Sequence, residues 1–84
     1  MKVQAQVSVY PLKTKSLSEP IDEFCSILKD RGLKIEIQTM GSFIVGESGT
    51  IFKSVQEAFE KLIQQYEIVM NMKITNACPQ DGSE

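Results

Sequence analysis

The chemistry open to this chain is limited first by the absence of histidine. Neither a Ser-His-Asp nor a Cys-His catalytic group can be assembled, and the usual general base near neutral pH is missing. Cys25 and Cys78 lie far apart and form no C-x-x-C pair, which argues against a zinc site. Carboxylates and lysines remain, so the sequence disfavours an enzyme without excluding one. We expect neither a metal nor a cofactor.

Side chains suited to holding a small molecule occur where predicted elements begin or end. Tyr10 stands beside Pro11 at the end of a strand pattern. It fits either an amphipathic residue at a sheet rim or a pocket wall with a phenolic donor. Asp22 follows a predicted helix start, on the flank of the apolar face. It fits a solvated carboxylate favoured by the helix N-terminus, or a partner for an amino group or cation.

A third group of candidates surrounds Gly41. A glycine lets the backbone approach a ligand closely, which makes Met40, Ser42 and Phe43 candidate ligand contacts. The same residues also fit a plain hairpin that carries a core aromatic. The sequence leaves both interpretations open.

Period-two alternation predicts the strands that would position these residues. Apolar and polar residues alternate from Val3 to Tyr10, where Pro11 is expected to end the strand. Further strands are predicted over Leu33–Gln38, Phe43–Val45 and Ile68–Thr75.

Helical spacing fills the intervals between the strands. The first helix is predicted to begin with Ser18 as N-cap and to end at Gly32, and the second begins near Ser48 or Thr50 as cap. The resulting order is βαββαβ. It predicts an α+β, ferredoxin-like fold, with a four-stranded antiparallel sheet and two helices on one face.

The 84 residues predict one domain over residues 1–84, with 77–84 an irregular tail. The net charge is −2 and the basic residues are spread along the chain, which argues against nucleic-acid binding. The apolar runs are too short to cross a membrane. With no cysteine pairing pattern, a reduced cytoplasmic protein is the simplest interpretation.

If the apolar residues of the strands face the helices, the other sheet face is polar. It would carry Gln4, Gln6, Ser8, Tyr10, Lys34, Glu36, Gln38, Val69, Asn71, Lys73 and Thr75. Such a face fits solvent exposure or contact with a second copy. Because so small a domain has a limited core, we expect a homo-oligomer, a dimer or tetramer formed through the sheet.

Three segments, taken together, resemble a known family. They are Val7–Leu12 (VSVYPL), Met40–Glu47 (MGSFIVGE) and Met72–Pro79 (MKITNACP). In order and spacing they are similar to the YkoF-like thiamine/hydroxymethylpyrimidine-binding family, over nearly the whole chain. One departure is Ser42, where the family often has threonine. A hydroxyl is retained there, but the packing of the methyl group is lost.

The resemblance implies a non-catalytic protein that binds thiamine or its hydroxymethylpyrimidine part in vitamin supply, buffering or sensing. It also implies paired ferredoxin-like units, so a single-unit chain would pair with a copy of itself. Ser42 becomes the preferred polar contact because it occupies the family's motif position. The resemblance adds Asn76 and Cys78 as candidates at the rim of the site.

Three rivals share the βαββαβ order. An acylphosphatase-like enzyme needs an arginine in a loop near the N-terminus, whereas the sole arginine, Arg31, ends the first helix. An RNA-binding sheet needs aromatic and basic residues on its open face, where Tyr10 is the lone candidate. A regulatory module that senses another metabolite fits the same pattern and stays the alternative.

Overall fold

The computed structural model describes residues 1–13, 18–38 and 41–77. Along the chain these residues form β1 (Lys2–Leu12), α1 (Ser18–Asp30), β2 (Lys34–Gln38), β3 (Gly41–Glu47), α2 (Ser48–Leu62) and β4 (Glu67–Thr75). The strands pair antiparallel in the order β2-β3-β1-β4. The predicted ferredoxin-like α+β fold is confirmed.

Strand β1 is central, and its alternation follows the sequence pattern. Val3, Ala5, Val7 and Val9 are buried, while the residues between them are partly exposed. The strand does not end at Pro11, contrary to the prediction, but continues to Leu12 beside β4. A proline cannot donate to a strand ladder. It is tolerated here because the described pairing of β1 with β3 ends at Val7, leaving that edge of β1 without a ladder to complete.

Helix α1 ends in a Schellman motif, as Gly32 predicts. The Leu33 amide donates to the Leu28 carbonyl at 3.3 Å, and the Gly32 amide donates to the Lys29 carbonyl at 3.0 Å. Gly32 has the left-handed φ of 81° that this turn requires. Leu28 and Leu33 are both buried, so the cap also contributes an apolar contact.

The core lies between the sheet and the two helices. Its most deeply buried large side chains are Phe24 and Leu28 from α1, Ile44 from β3, and Ile51 and Leu62 from α2. Burying each of these side chains contributes about 1.5–3 kcal/mol. Packing of Phe24 and Leu28 in this core holds α1 against the sheet.

Helix α2 begins without the predicted serine or threonine cap. Glu47 occupies the N-cap position, and its side chain makes no capping hydrogen bond. Its carboxylate instead accepts a hydrogen bond from the Met1 amine at 2.6 Å. That hydrogen bond, the opposite charge of the amine and the nearby Lys2 hold the pKa of the Glu47 carboxyl below its usual value.

Strand register confirms which side chains share the face opposite the helices, which we call the open face. Gln6 pairs with both Lys73 and Phe43, and Phe43 pairs with Glu36, so all four lie on it. Phe43 is 39% exposed and is therefore not a core aromatic.

Candidate functional site

A cleft forms where the two halves of the sheet differ in length. Strands β1 and β4 stay paired as far as Leu12 opposite Glu67, but the described pairing of β1 with β3 ends at Val7 opposite Ser42. The β1–β4 ribbon therefore runs on for five residues, about 17 Å at the usual strand rise. The first turns of α1 cover the resulting gap from the helix side.

This cleft has a volume of about 330 Å³. Its described lining is Val7, Ser8, Val9, Tyr10, Pro11, Ile21, Phe24, Ile37, Gln38, Gly41 and Ser42. Most of these residues are apolar, a few carry hydroxyl or amide groups, and none of the described ones is charged. A largely apolar cleft of this size with a few polar residues in its lining is typical of a site for a small organic molecule.

Ser42 places a hydroxyl in the inner wall of the cleft. The residue is 5% exposed and pairs with Val7 on the helix side of the sheet. Its Oγ lies 3.6 Å from Cys25 Sγ, and either atom can donate the hydrogen bond. The hydroxyl is therefore held at the boundary between the core and the cleft.

Gly41 allows the hairpin and β1 to approach each other closely at the cleft. Its φ is 139°, a conformation that residues with a Cβ rarely adopt. A Cβ there would lie 2.7 Å from Ser8 Oγ and 2.9 Å from the Val7 carbonyl oxygen. A side chain at this position would collide with two residues that line the cleft.

Tyr10 and Gln38 are two lining residues that are also exposed to solvent. Tyr10 is 52% exposed and lies beside Pro11, while Gln38 ends β2 and is exposed. Both therefore combine contact with the cleft and contact with solvent. A polar rim around an apolar interior can orient a ligand that enters from water.

Comparison with known proteins places this chain in a family. The sequence model of the thiamine-binding protein family matches residues 5–81. The chain belongs to the thiamine-binding protein family. The predicted resemblance is thereby confirmed.

One relative in sequence is the UPF0045 protein MJ1052 of Methanocaldococcus jannaschii. It is 32% identical over 75 residues, which cover 87% of this chain and 75% of that protein. Its crystal structure matches with a TM-score of 0.83 at 30% identity, over 92% of this chain and 81% of the other.

A second structure is that of a candidate thiamine biosynthesis or salvage protein of Thermotoga maritima. It matches with a TM-score of 0.84 at 22% identity, over 98% of this chain and 96% of the other. A protein of Streptococcus pneumoniae matches with a TM-score of 0.85 at 20% identity, covering 98% and 93%. At these identities the likeness shows the shared fold.

In this member of the thiamine-binding protein family, the structure brings two of the predicted site residues together. Tyr10 and Ser42 both line the cleft. Asp22 is exposed on α1 and is not among the lining residues, although its neighbour Ile21 is. Phe43 lies on the open face, next to Ser42 in sequence but on the other side of the sheet.

The remaining predicted residues are at or beyond the end of β4, or in the hairpin. Asn76 follows Thr75, which pairs with Gln4. Since Gln4 and Tyr10 are six residues apart on β1, this end of the sheet lies about 20 Å from the rim of the cleft. Met40 and Cys78 fall outside the described residues.

Several cleft residues were not singled out from the sequence. Ile37 is 57% exposed although the alternation of β2 assigns it to the helix face. Phe24 and Ile21 belong to the apolar face of α1, which periodicity assigns to the core. In the sequence, Ile37 is only an apolar residue near the end of a predicted strand. The strand register is needed to show that it lies beside the gap between β1 and β3.

Within the described ranges, no group of three or more histidine, cysteine, aspartate and glutamate side chains could hold a metal ion. No helix in those ranges is both long and apolar enough to cross a membrane. The polar residues in the described lining of the cleft carry hydroxyl or amide groups, and the other lining residues are apolar or glycine.

Proposed function

We propose that this chain binds thiamine or its hydroxymethylpyrimidine part in the cleft beside β1, without catalysing a reaction. The observation that carries the proposal is an apolar cleft of about 330 Å³, with Ser42 in its inner wall, in a chain of the thiamine-binding protein family. The proposed role is vitamin supply, buffering or sensing.

The chemistry of the pyrimidine suits such a cleft. The ring is flat and needs apolar walls, which Val9, Phe24 and Ile37 supply. Its ring nitrogens and amino group need a few hydrogen-bond partners, and in this proposal the lining residues Ser42 and Gln38 are the candidates.

The thiazolium half of thiamine carries a positive charge and suits the solvated rim. Tyr10, half-exposed there, is the aromatic residue available to a cation. Asp22 is an exposed carboxylate that adjoins the lining residue Ile21 in sequence. In this proposal Tyr10 and Asp22 act on the thiazolium or the amino group, and Ser42 acts on the pyrimidine.

A non-catalytic role is supported by the kind of groups in the cleft. The chain has no histidine, and the described lining carries no carboxylate or amine. General acid–base catalysis needs a group that exchanges protons near the working pH. Hydroxyl and amide side chains bind and orient a ligand but are poor proton exchangers at neutral pH.

The proposal includes one unit per chain and a second copy of the chain as partner, in the cytoplasm. Support comes from apolar and aromatic side chains on the otherwise polar open face. Phe43 is 39% exposed and Val69 is 46% exposed. Packing two open faces together would remove these side chains from water and enlarge a small core.

Calorimetric titration of the purified chain with thiamine, and separately with hydroxymethylpyrimidine, tests the proposed function. We expect saturable binding of at least one compound with a dissociation constant in the micromolar range or tighter. A folded protein that gives no binding heat, at several temperatures and at millimolar ligand, would contradict the vitamin proposal. Binding of a different heterocycle in the same assay would favour the sensor alternative.

A further inference from the structure

Cys25 lies directly behind the wall of the cleft. The residue is 3% exposed and does not line the cleft, but its Sγ is 3.6 Å from the Oγ of Ser42, which does. The thiol is free. Within the described residues, the Ser42 hydroxyl forms its hydrogen bond with the Cys25 thiol.

The chemistry of the two groups limits how the pair can act. A serine hydroxyl has one hydrogen to donate and two lone pairs to accept with, while a thiol is a weak donor and a weak acceptor. When a ring nitrogen approaches Ser42 from the cleft, the hydroxyl hydrogen is better used on that nitrogen than on sulfur. The oxygen can then accept from the thiol. In such a chain each hydrogen bond polarises the next.

We propose that Cys25 is a positioning residue for ligand binding: its S–H donates to Ser42 Oγ, so that the Ser42 O–H donates to a ring nitrogen of the bound pyrimidine. This inference rests on the proposed function, because it requires a nitrogen heterocycle in the cleft. It assigns to Cys25 a role beyond packing in α1. Burial of both residues keeps water from competing for the two hydrogen bonds.

Variants at position 25 separate positioning from packing. Cys25→Ala and Cys25→Val both delete the hydrogen bond, one with loss of volume and one without, whereas Cys25→Ser retains a donor. Val55→Ala is the matched control, because Val55 is buried at 6% exposure in α2 and does not line the cleft. Each variant is titrated with hydroxymethylpyrimidine, and its thermal unfolding without ligand is recorded alongside.

We expect Cys25→Ala and Cys25→Val to weaken binding roughly three- to tenfold, the range for one lost hydrogen bond. Cys25→Ser is expected to stay within about twofold of the unmodified chain. Val55→Ala is expected to lower stability and leave affinity unchanged. If either deletion variant fails to fold, the folded one decides the comparison.

Two further readouts respond to positioning and not to packing. The aminopyridine analogue that lacks the contacted ring nitrogen should bind the unmodified chain and Cys25→Ala equally. The infrared S–H stretching band that is missing in Cys25→Ala should move to lower frequency when the pyrimidine binds to the unmodified chain.

The titrations separate a failure of the Cys25 positioning role from a failure of the proposed function. If the unmodified chain binds the pyrimidine but both deletion variants bind it equally well, the positioning role is wrong and the proposed function stands. An equal loss of affinity in Cys25→Ser and Cys25→Ala would also overturn it. If the unmodified chain binds neither compound, the proposed function fails, and this inference fails with it.

Discussion

At the scale of single residues, Ser42 and Ser54 offer a direct comparison. Both serines are buried, at 5% and 2% exposure, but Ser42 lines the cleft whereas Ser54 lies in α2, outside the cleft lining. If removing any buried hydroxyl lowered the ligand affinity, then replacing either serine by alanine would lower it. If the affinity depends on contact between the hydroxyl and the ligand, then only the replacement of Ser42 would lower it.

We predict that Ser42→Ala lowers the affinity for hydroxymethylpyrimidine by roughly three- to tenfold, because the ligand loses one hydrogen bond. Ser54→Ala should bind as the unmodified chain does. Titration calorimetry of the three proteins, with thermal unfolding as a check on folding, measures the difference. Equal affinities for the two variants would remove Ser42 from the site.

Some features of individual site residues could be predicted from the sequence, and others could not. The motif around Gly41 marks Ser42 as a candidate, and the structure places its hydroxyl in the cleft. The hydrogen bond to Cys25 could not be predicted, because periodicity assigns a core-facing cysteine to packing and gives no distance to a strand. Phe43 follows Ser42 directly, and the strand alternation then puts the two side chains on opposite faces.

At the scale of elements, the end of the β2–β3 hairpin depends on a glycine where the strands approach. Gly41 combines a φ of 139° with close contacts that any Cβ would make, at 2.7 Å and 2.9 Å. Gly32, at the end of α1, has a φ of 81° but open space around the missing Cβ. Gly49, in the first turn of α2, has open space and no such φ.

We predict a graded effect of alanine at these three glycines on the free energy of unfolding. Gly49→Ala should be neutral or stabilising by up to about 1 kcal/mol, since alanine favours the helix. Gly32→Ala should cost about 1 kcal/mol for the backbone conformation alone. Gly41→Ala should cost more, about 2–4 kcal/mol, because strain and collision combine.

Chemical denaturation of the three variants measures this order. If Gly41→Ala is no less stable than Gly32→Ala, then the close approach of the hairpin to β1 is not a constraint on the fold. Gly41→Ala should also weaken ligand binding, since the groups it would displace, Ser8 and Val7, line the cleft.

The elements themselves were largely predictable, and the cleft was not. Alternation in β1 and the glycine stop of α1 are local signals, so order and type follow from sequence. The cleft arises because β1 and β4 stay paired beyond the described β1–β3 ladder. That difference is a matter of register between distant segments, which local periodicity does not contain. Pro11 is an example. A proline alone predicts the end of a strand, whereas β1 continues to Leu12 because it stays paired with β4.

At the scale of the whole molecule, the open face and the outer face of α2 both expose a phenylalanine. Phe43 on the open face is 39% exposed, and Phe52 on α2 is 54% exposed. If copies of the chain associate through their sheets, a charge at position 43 would be buried against a partner. The same charge at position 52 would stay in water.

We predict that Phe43→Lys shifts the purified protein from oligomer towards monomer, because burying an unpaired charge in an interface is costly. Phe52→Lys should leave the oligomeric state unchanged. Light scattering coupled to size-exclusion chromatography, over a range of concentrations, measures both. A monomeric unmodified chain, or dissociation by Phe52→Lys alone, would contradict association through the open face.

Amide chemical-shift mapping distinguishes binding of the pyrimidine in the cleft beside β1 from binding on the open face. With isotope-labelled protein and hydroxymethylpyrimidine as titrant, we expect saturable shifts centred on the cleft at Val9, Tyr10, Ile37 and Ser42. Smaller shifts are expected across the open face at Gln6, Phe43 and Lys73. A saturable response centred on those open-face residues, or no response at millimolar ligand, would show that the pyrimidine does not bind in the cleft.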